Sequence, residues 1–287
     1  MSAVQPGIMA PLPAFGRYLE FSIVPDADFR PALTIDESVV VGIGPGLVRA
    51  AGADLGALRP FPALSGPGCN TPSTQADLWC WLRGGARGPL VHAGRPIAAA
   101  VAPGLSLDFL VDGFKHERGL DLTGYEDGTE NPTGDDAVAA AVTVGAGPGL
   151  DGSSFVAVQQ WAHDLDHFQS LPQDEQDHII GRRLSDNEEL ENAPASAHVK
   201  RTAQESFDPE AFVLRRSMPW SDAGGEGLMF VAFGKSPDAF EAQMRRMVGE
   251  EDGITDALFR FSRPVTGSYF WCPPVRDGRL DLGALDL

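Results

Sequence analysis

The amino-acid sequence predicts an α+β protein built from two similar halves. Strand-like segments outnumber helical segments in each half, by more than a simple alternation of strand and helix would need. A Gly/Asp/Asn-rich stretch between Lys115 and Gly152 separates the halves and indicates an inter-domain connection. Of the 287 residues, 43% are hydrophobic and 22% are charged, which is typical of a globular chain with a sizeable core.

The first half combines short strands with one helix. Its strand-like segments are Arg17–Val24, Ser38–Gly44, Asp77–Leu82 and Leu107–Phe114. Apolar spacing predicts a helix over Pro89–Val101. Pro96 favours a break or a late start in that helix, because proline lacks the N–H that a helix interior uses. A sheet with helices on one face fits this pattern best.

The second half repeats the scheme. Its predicted strands are Ser154–Trp161, Phe212–Arg216, Leu228–Phe233 and Tyr269–Cys272. Its predicted helices are Gln173–Arg183 and Asp238–Val248. The second helix is amphipathic, because apolar residues recur on one face at helical spacing.

Composition excludes several classes of function. The formal net charge is −18, which argues against nucleic acid and anionic membranes as partners, since both attract clusters of Lys and Arg. No run approaches the about 18 apolar residues of a membrane span. Three scattered cysteines predict free thiols in a reducing compartment. The N-terminus shows no basic region followed by an apolar one, so we expect a cytoplasmic, soluble protein.

The segment Gly124–Pro132, GYEDGTENP, is the densest polar cluster. Asp-Gly and Asn-Pro form turns, so its residues alone indicate a surface turn. A calcium loop is disfavoured, because the D-x-[DN]-x-[DN]-G spacing is absent. His163 and His167 have the i, i+4 spacing of a metal site but lack the glutamate of H-E-x-x-H. Hydrogen-bonded or exposed histidines are therefore the simpler interpretation of that pair.

Arg215 and Arg216 lie inside an otherwise apolar predicted strand. Consecutive strand residues point to opposite faces, so one of the two arginines is expected to point inward. A buried guanidinium is costly unless an anion or ligand pairs with it, which makes the inward arginine the strongest physical indication of a site. Asp256, next to the apolar LFRF, is a weaker indication. His198 alone would be a histidine at the edge of a loop.

GYEDGTENP resembles the G-x-x-D-G signature of the dye-decolourising peroxidases, a family of haem enzymes. The TENP extension is typical of the bacterial B-type group. The motifs IGRR, SAHVKR, LRRSMP and DALFRFSRPVTGSYFWCPP follow in the family's order. The resemblance covers essentially the whole chain, from QPGI to CPP.

The resemblance implies the residues that hold the cofactor, which it gives as haem b. His198 is the proximal ligand of the haem iron, and Asp256 accepts the hydrogen bond from the other ring nitrogen of that histidine. Arg182, in IGRR, and His163 are implied as contacts of the haem propionates. A carboxylate behind a ligating histidine selects its tautomer and raises its basicity.

The resemblance also implies the residues that act on peroxide. Asp127 matches the distal aspartate and Arg215 the distal arginine. Ser217 stands where the family places a polar distal residue, often Asn. An aspartate can transfer a proton between the peroxide oxygens. An arginine can stabilise the negative charge that develops there.

Family membership implies two ferredoxin-like modules with antiparallel sheets, arranged like a dimeric α/β barrel. We place the modules at residues 1–140 and 150–274, followed by a tail at 275–287. The implied activity is reduction of hydrogen peroxide through a high-valent iron intermediate, with oxidation of dyes, phenols or similar one-electron donors. The alternatives are a haem-binding or haem-handling protein with little peroxidase activity, and a ferredoxin-like binding module without haem. A homo-oligomer is also expected.

The aromatic residues are candidates for electron transfer. Large dyes do not fit a small distal pocket, so their electrons would enter at the surface through an aromatic relay. The candidates are Trp79, Trp81, Trp161, Trp220, Trp271, Tyr18, Tyr125 and Tyr269, although each can equally be a packing residue.

The C-terminal segment Gly278–Leu287 resembles, in G-R-L-D-L-G-A-L, the G-S-L-x-I-G-S-L cargo peptide of encapsulin shells. Its residues alone indicate a frayed terminus.

Overall fold

The computed structural model describes residues 3–25, 36–102 and 104–287. Its strands are β1 (Phe15–Ile23), β2 (Val39–Ile43), β3 (Leu64–Gly66), β4 (Cys69–Thr71), β5 (Leu78–Gly84), β6 (Leu105–Phe114), β7 (Ser154–His163), β8 (Leu214–Arg215), β9 (Met218–Asp222), β10 (Gly225–Gly234), β11 (Ser262–Pro264), β12 (Ser268–Cys272), β13 (Val275–Arg276) and β14 (Arg279–Leu280). Its helices are α1 (Pro6–Met9), α2 (Pro45–Ala50), α3 (Arg87–Val101), α4 (Gly134–Ala141), α5 (Leu165–Ser170), α6 (Gln173–Ile180), α7 (His198–Arg201) and α8 (Asp238–Met247). Within the described ranges, none of these helices is long and apolar enough to cross a membrane.

Eight antiparallel strands form a closed barrel. They follow the order β7-β12-β2-β5-β1-β6-β9-β10, and β10 pairs back onto β7. The four barrel strands of the first half lie side by side as β2-β5-β1-β6, and those of the second half as β9-β10-β7-β12. Numbered along the sequence within each half, both sets have the spatial order second, third, first, fourth. That is the strand order of a ferredoxin-like module, so the predicted α+β fold is confirmed. Both halves share one sheet, and the module boundaries at 1–140 and 150–274 stay a prediction.

Alternation along the strands divides the core into an interior and outer faces. Tyr18, Trp79 and Trp81 belong to the cluster that fills the barrel interior. The outer face of the first half packs against α2 and α3, through residues such as Leu19 and Leu82. The outer face of the second half packs against α8. This last layer positions the site.

Two helices differ from the sequence expectation. The break expected at Pro96 is wrong, because α3 runs continuously from Arg87 to Val101. Pro96 and His92, the residue four positions before it, are both exposed, so water can bond the carbonyl that lacks an intrahelical partner. Helix α6 ends at Ile180, three residues before the expected end. Gly181 adopts a left-handed conformation with φ of 95°, which is a common way to stop a helix.

The C-terminal tail is packed onto the first half. Strands β13 and β14 form a hairpin, and Gly283–Leu285 form one 3-10 turn. Leu285 is 4% exposed within the cluster under α2 and α3, whereas Leu287 is 60% exposed. Most of the tail's apolar surface is therefore covered by the chain's own core, so the frayed terminus expected from the residues alone is wrong.

Candidate active site

A cavity of about 340 Å³ lies between the outer face of the second half and the helices α6, α7 and α8. Apolar side chains from these elements form much of its wall; among them are Ile180, Val199, Leu228, Phe230, Phe240, Met244, Met247, Leu258 and Phe261. Most of the implied site residues also line it, namely Asp127, His163, Arg182, His198 and Arg215. The fold thus brings together residues that are up to 88 positions apart in sequence, from Asp127 to Arg215.

His198 lines the cavity and pairs with Asp256, which lies buried behind it. His198 is the first residue of α7, and its Nδ1 lies 2.9 Å from Oδ2 of Asp256. The Asp256 side chain is fully buried, and its Oδ1 accepts the backbone N–H of Leu258 at 2.8 Å. Because the carboxylate accepts from Nδ1–H, the lone pair of the imidazole is on Nε2. Among the described residues no hydrogen-bond partner occupies Nε2, which leaves it available to a ligand in the cavity.

Asp127 and Arg215 form a second polar pair on the cavity wall. Their closest approach is 3.6 Å between Oδ1 and Nη1, longer than a hydrogen bond, and each side chain is 20% exposed. Asn131 fixes the backbone at Arg215. Its side chain accepts the Arg215 N–H at 2.8 Å and donates to the Arg215 carbonyl at 3.0 Å. The TENP part of the signature therefore holds the strand that carries this arginine.

Ser217 does not line this cavity. It lines a neighbouring one, which Asp127 also borders, and its hydroxyl accepts the N–H of Val231 at 3.3 Å. Arg216 lines the neighbouring cavity, whereas Arg215 lines the first one. The guanidinium of Arg216 donates to the backbone carbonyls of Ile8, Met9 and Arg215, so among the described residues its hydrogen-bond partners are backbone oxygens.

The two residues implied for the propionates already have protein partners. Arg182 donates to Glu130 at 2.5 Å and to the Asn187 carbonyl at 3.0 Å. The ring of His163 lies between Ser262, at 2.7 Å from Nδ1, and Asp121, at 3.3 Å from Nε2.

The neighbour of His163 is a strongly held carboxylate. Burial alone raises the pKa of Asp121, but hydrogen bonds from His163 and Thr123 outweigh burial and lower that pKa below its usual range. Among the described residues no cluster of three or more His, Cys, Asp or Glu side chains could hold a metal ion.

The eight aromatic residues considered as relays are all buried. None is more than 5% exposed, and Trp79, Trp81 and Trp271 are completely covered. Tyr125 and Trp161 line the cavity. The hydroxyl of Tyr125 lies 2.5 Å from Oδ1 of Asp177 on α6. Sequence reasoning did not identify Asp177.

Gln204 was also missed. It bonds the Glu130 carbonyl and the Val213 N–H, and so joins the GYEDGTENP loop to the segment before β8. No local sequence signal marks such a bridge, since its two partners are 74 and 9 positions away. The role of Asn131 was also missed, although its place in the TENP motif marked it as a residue to consider.

The donor set fits a haem. A neutral imidazole with its Nε2 available, backed by a buried carboxylate, is a common haem-iron ligand. The apolar walls suit a porphyrin, and Arg182 supplies a cation on the cavity wall. An α+β barrel with this donor set is what a haem-binding barrel requires.

Comparisons with known proteins identify the family. The family model of the Dyp-type peroxidase C-terminal domain matches residues 118–277. A dye-decolorizing peroxidase of Mycobacterium tuberculosis is 33% identical over 83% of this chain and 73% of its own length. A dyp-type peroxidase structure from Shewanella oneidensis has a TM-score of 0.87 at 28% identity, over 99% of this chain and 98% of that one.

A haem complex is among the solved structures that this chain resembles. A variant of DypB from Rhodococcus jostii in complex with heme has a TM-score of 0.84 at 28% identity, and the match covers 95% of this chain and 97% of that one. The chain described here belongs to the Dyp-type peroxidase family.

Proposed function

We propose that this protein binds haem b in the cavity lined by His198, called the main cavity below, and uses it to reduce hydrogen peroxide. The electrons come from one-electron donors such as phenols and dyes. The observation that carries the proposal is that His198, bonded to the buried Asp256, lines the same cavity as Asp127 and Arg215. Members of this family are haem peroxidases, and nothing in the structure favours a haem-handling role instead.

Asp256 prepares His198 for ligation. It accepts the hydrogen bond from Nδ1, so the neutral imidazole carries its lone pair on Nε2, where it can bind an iron. The carboxylate also increases the electron density on the imidazole, which supports oxidation of a bound iron. Bound haem supplies the redox chemistry, since it can give two electrons to peroxide and regain them one at a time.

Asp127 and Arg215 are proposed to act on peroxide. Asp127 would take the proton from one peroxide oxygen and deliver it to the departing oxygen, directly or through one water. Arg215 would stabilise the negative charge on these oxygens, and its backbone is held by Asn131. The 3.6 Å gap between the two side chains leaves each free to bond a ligand rather than the other.

The remaining assignments are also proposals. Arg182 and His163 would contact the propionates, and Arg182 would exchange Glu130 for a propionate. Ser217 would adjust hydrogen bonding near Asp127 from the neighbouring cavity that both border.

Absorption spectroscopy tests the proposed function. Haem-loaded protein should show a Soret band, and one equivalent of hydrogen peroxide should change that spectrum rapidly. A phenol should then restore the starting spectrum. A Soret band that peroxide leaves unchanged would support a haem-handling protein. Absence of a Soret band would support a binding module without haem.

We also propose a cytoplasmic homo-oligomer. Cys69, Cys80 and Cys272 carry free thiols, which supports a reducing compartment. Leu107 and Leu110 on β6 are 42% and 43% exposed, which supports an association of copies through this strand.

We propose, finally, that Gly278–Leu287 is a cargo peptide for an encapsulin shell, from its resemblance to such peptides. Because Leu285 is buried in the chain's own core, binding requires release of this segment. The protein should co-purify with a co-expressed shell. Deletion of Gly278–Leu287 should abolish loading but retain haem, and the exposed Leu287→Asp should weaken loading without disturbing the core. Loading of both variants at the wild-type level would refute the assignment.

A further inference from the structure

The three tyrosines of the chain differ in what their hydroxyl groups contact. Tyr18 and Tyr269 are buried, and among the described residues their hydroxyls have no hydrogen-bond partner. The hydroxyl of Tyr125 lies 2.5 Å from Oδ1 of Asp177 and accepts a bond from Gln173 at 3.1 Å. Tyr125 is therefore the tyrosine with a base in position to take its proton.

Tyr125 also lies between the cavity and the protein surface. Its ring lines the main cavity and packs edge-on against Phe168, with centroids 6.1 Å apart. On the other side of its hydroxyl, Asp177 is half-buried and Gln173 is exposed. Leu184, 38% exposed, donates its backbone N–H to the same Asp177 oxygen. Tyr125 thus connects the main cavity to a patch near the protein surface formed by Gln173, Asp177 and Leu184. This patch is called the rim below.

A phenol loses its proton when it loses an electron, because its oxidised form is a very strong acid. Oxidation is therefore easiest where a base already accepts the hydroxyl hydrogen. Burial and the nearby Asp177 carboxylate raise the pKa of the Tyr125 phenol above its usual value. The proton consequently stays on the phenol until an electron leaves.

Among the described residues, none of the five tryptophans has a carboxylate bonded to its indole N–H. Arg83 lies over the ring of Trp81, 4.7 Å from its centroid, and a fixed positive charge opposes a cation on that ring. The indole N–H groups of Trp161 and Trp220 donate to an amide oxygen and a backbone carbonyl, which are neutral acceptors.

We propose that Tyr125 is an electron relay between the haem cavity and donors too large to enter it. The proposal rests on the proposed peroxidase function, which supplies the oxidant. One electron passes from Tyr125 to the oxidised cofactor, and the phenolic proton moves to Asp177. A donor at the rim then returns one electron to the Tyr125 radical, and Asp177 returns the proton. Donor oxidation and cofactor reduction balance at one electron for each cycle.

The charge of the protein indicates the class of donor. With a net charge of −18, the surface attracts cationic molecules, and the rim carries Asp177. We infer that bulky cationic aromatic dyes use this route, whereas small phenols enter the cavity.

Freeze-quench EPR after addition of one equivalent of peroxide tests the relay. The wild-type protein should give a tyrosyl radical signal that ring-deuterated tyrosine narrows. Tyr125→Phe keeps the ring and its packing, and it should reduce this signal at least tenfold. Tyr18→Phe and Tyr269→Phe are matched controls and should retain it. A tyrosyl signal that survives in Tyr125→Phe, or a wild-type radical on tryptophan alone, would overturn the proposal.

Asp177→Asn provides a second test, with the phenol intact. Without the base, the radical yield should fall at least tenfold. The ratio of turnover with a bulky cationic dye to turnover with a small phenol should also fall at least tenfold; an unchanged ratio would contradict the relay. Failure of the underlying function looks different, because the wild-type haem spectrum itself would then not respond to peroxide.

Discussion

Nδ1 of His198 lies 2.9 Å from Oδ2 of Asp256, a carboxylate whose side chain is completely buried. A buried carboxylate is costly unless it is well bonded, and Asp256 meets this condition with the imidazole and with the Leu258 N–H. The pair therefore fixes the tautomer of His198 and directs Nε2 to the cavity.

Asp256→Asn should raise the reduction potential of the bound iron. The variant removes the negative charge behind His198 but keeps a side chain that can accept a hydrogen bond. Potentiometric titration of the haem-loaded proteins measures the shift, with Asp135→Asn at an exposed position as the control. An unchanged potential would mean that Asp256 does not tune the ligand.

The two distal groups should differ in weight. We expect Arg215→Leu to slow the first spectral change after peroxide at least as much as Asp127→Ala does. Loss of a preorganised donor typically costs ~3–4 kcal/mol of barrier, and general acid–base help is worth ~10²–10⁴-fold. Stopped-flow absorption with a series of peroxide concentrations gives both rates. The reverse order would assign the main role to Asp127.

Asn131→Ala should weaken both the fold and the reaction with peroxide. It removes two hydrogen bonds to the backbone of Arg215, each worth about 1 kcal/mol, and leaves that arginine less well positioned. We expect the free energy of unfolding to fall by about 1–3 kcal/mol and the peroxide rate to fall with it. Asn192→Ala, at an exposed residue, is the control. A rate equal to wild type would limit Asn131 to a role in stability.

Glu20→Gln should stabilise the protein at alkaline pH. Glu20 faces the barrel interior at 4% exposure, and burial raises its pKa from the ordinary value of 4.5 to about 8. Between these values the folded state holds a proton that the unfolded state has released. Stability therefore falls by ~1.4 kcal/mol per pH unit as the pH rises through this window.

Thermal unfolding at several pH values measures this effect. The Tm of Glu20→Gln should exceed that of the wild type by several degrees at pH 8 and approach it near pH 4.5. Glu191→Gln, at an exposed position, should show no such pH dependence. A constant Tm difference across the pH range would show that Glu20 does not titrate as described.

Sequence reasoning succeeded where a signal is local. Seven of the eight barrel strands overlap predicted strands, because the side chains of a strand alternate between its two faces. The prediction missed β9, and its strand Phe212–Arg216 is only the two-residue β8, outside the barrel. Motifs placed His198, Asp256, Asp127 and Arg215 in one site, and the fold brings all four near one cavity. The roles assigned to them remain predictions.

Other features depended on contacts that sequence does not display. Asn-Pro in TENP indicates a turn, yet Asn131 acts through the backbone of a residue 84 positions away. Arg216 has the same chemistry as Arg215, and only the position of α1 shows that its partners are carbonyls. Pro96 lies inside a continuous helix because its surroundings are exposed, which a local pattern does not reveal.

The most direct test of the account is a haem titration of the wild-type protein and of His198→Ala, followed by absorption. The wild-type protein should bind one haem per chain and show the ferric spectrum of a histidine-ligated iron. His198→Ala should hold haem weakly and show an altered spectrum, because the axial ligand is lost. Full haem occupancy with an unchanged ferric spectrum in His198→Ala would contradict the account.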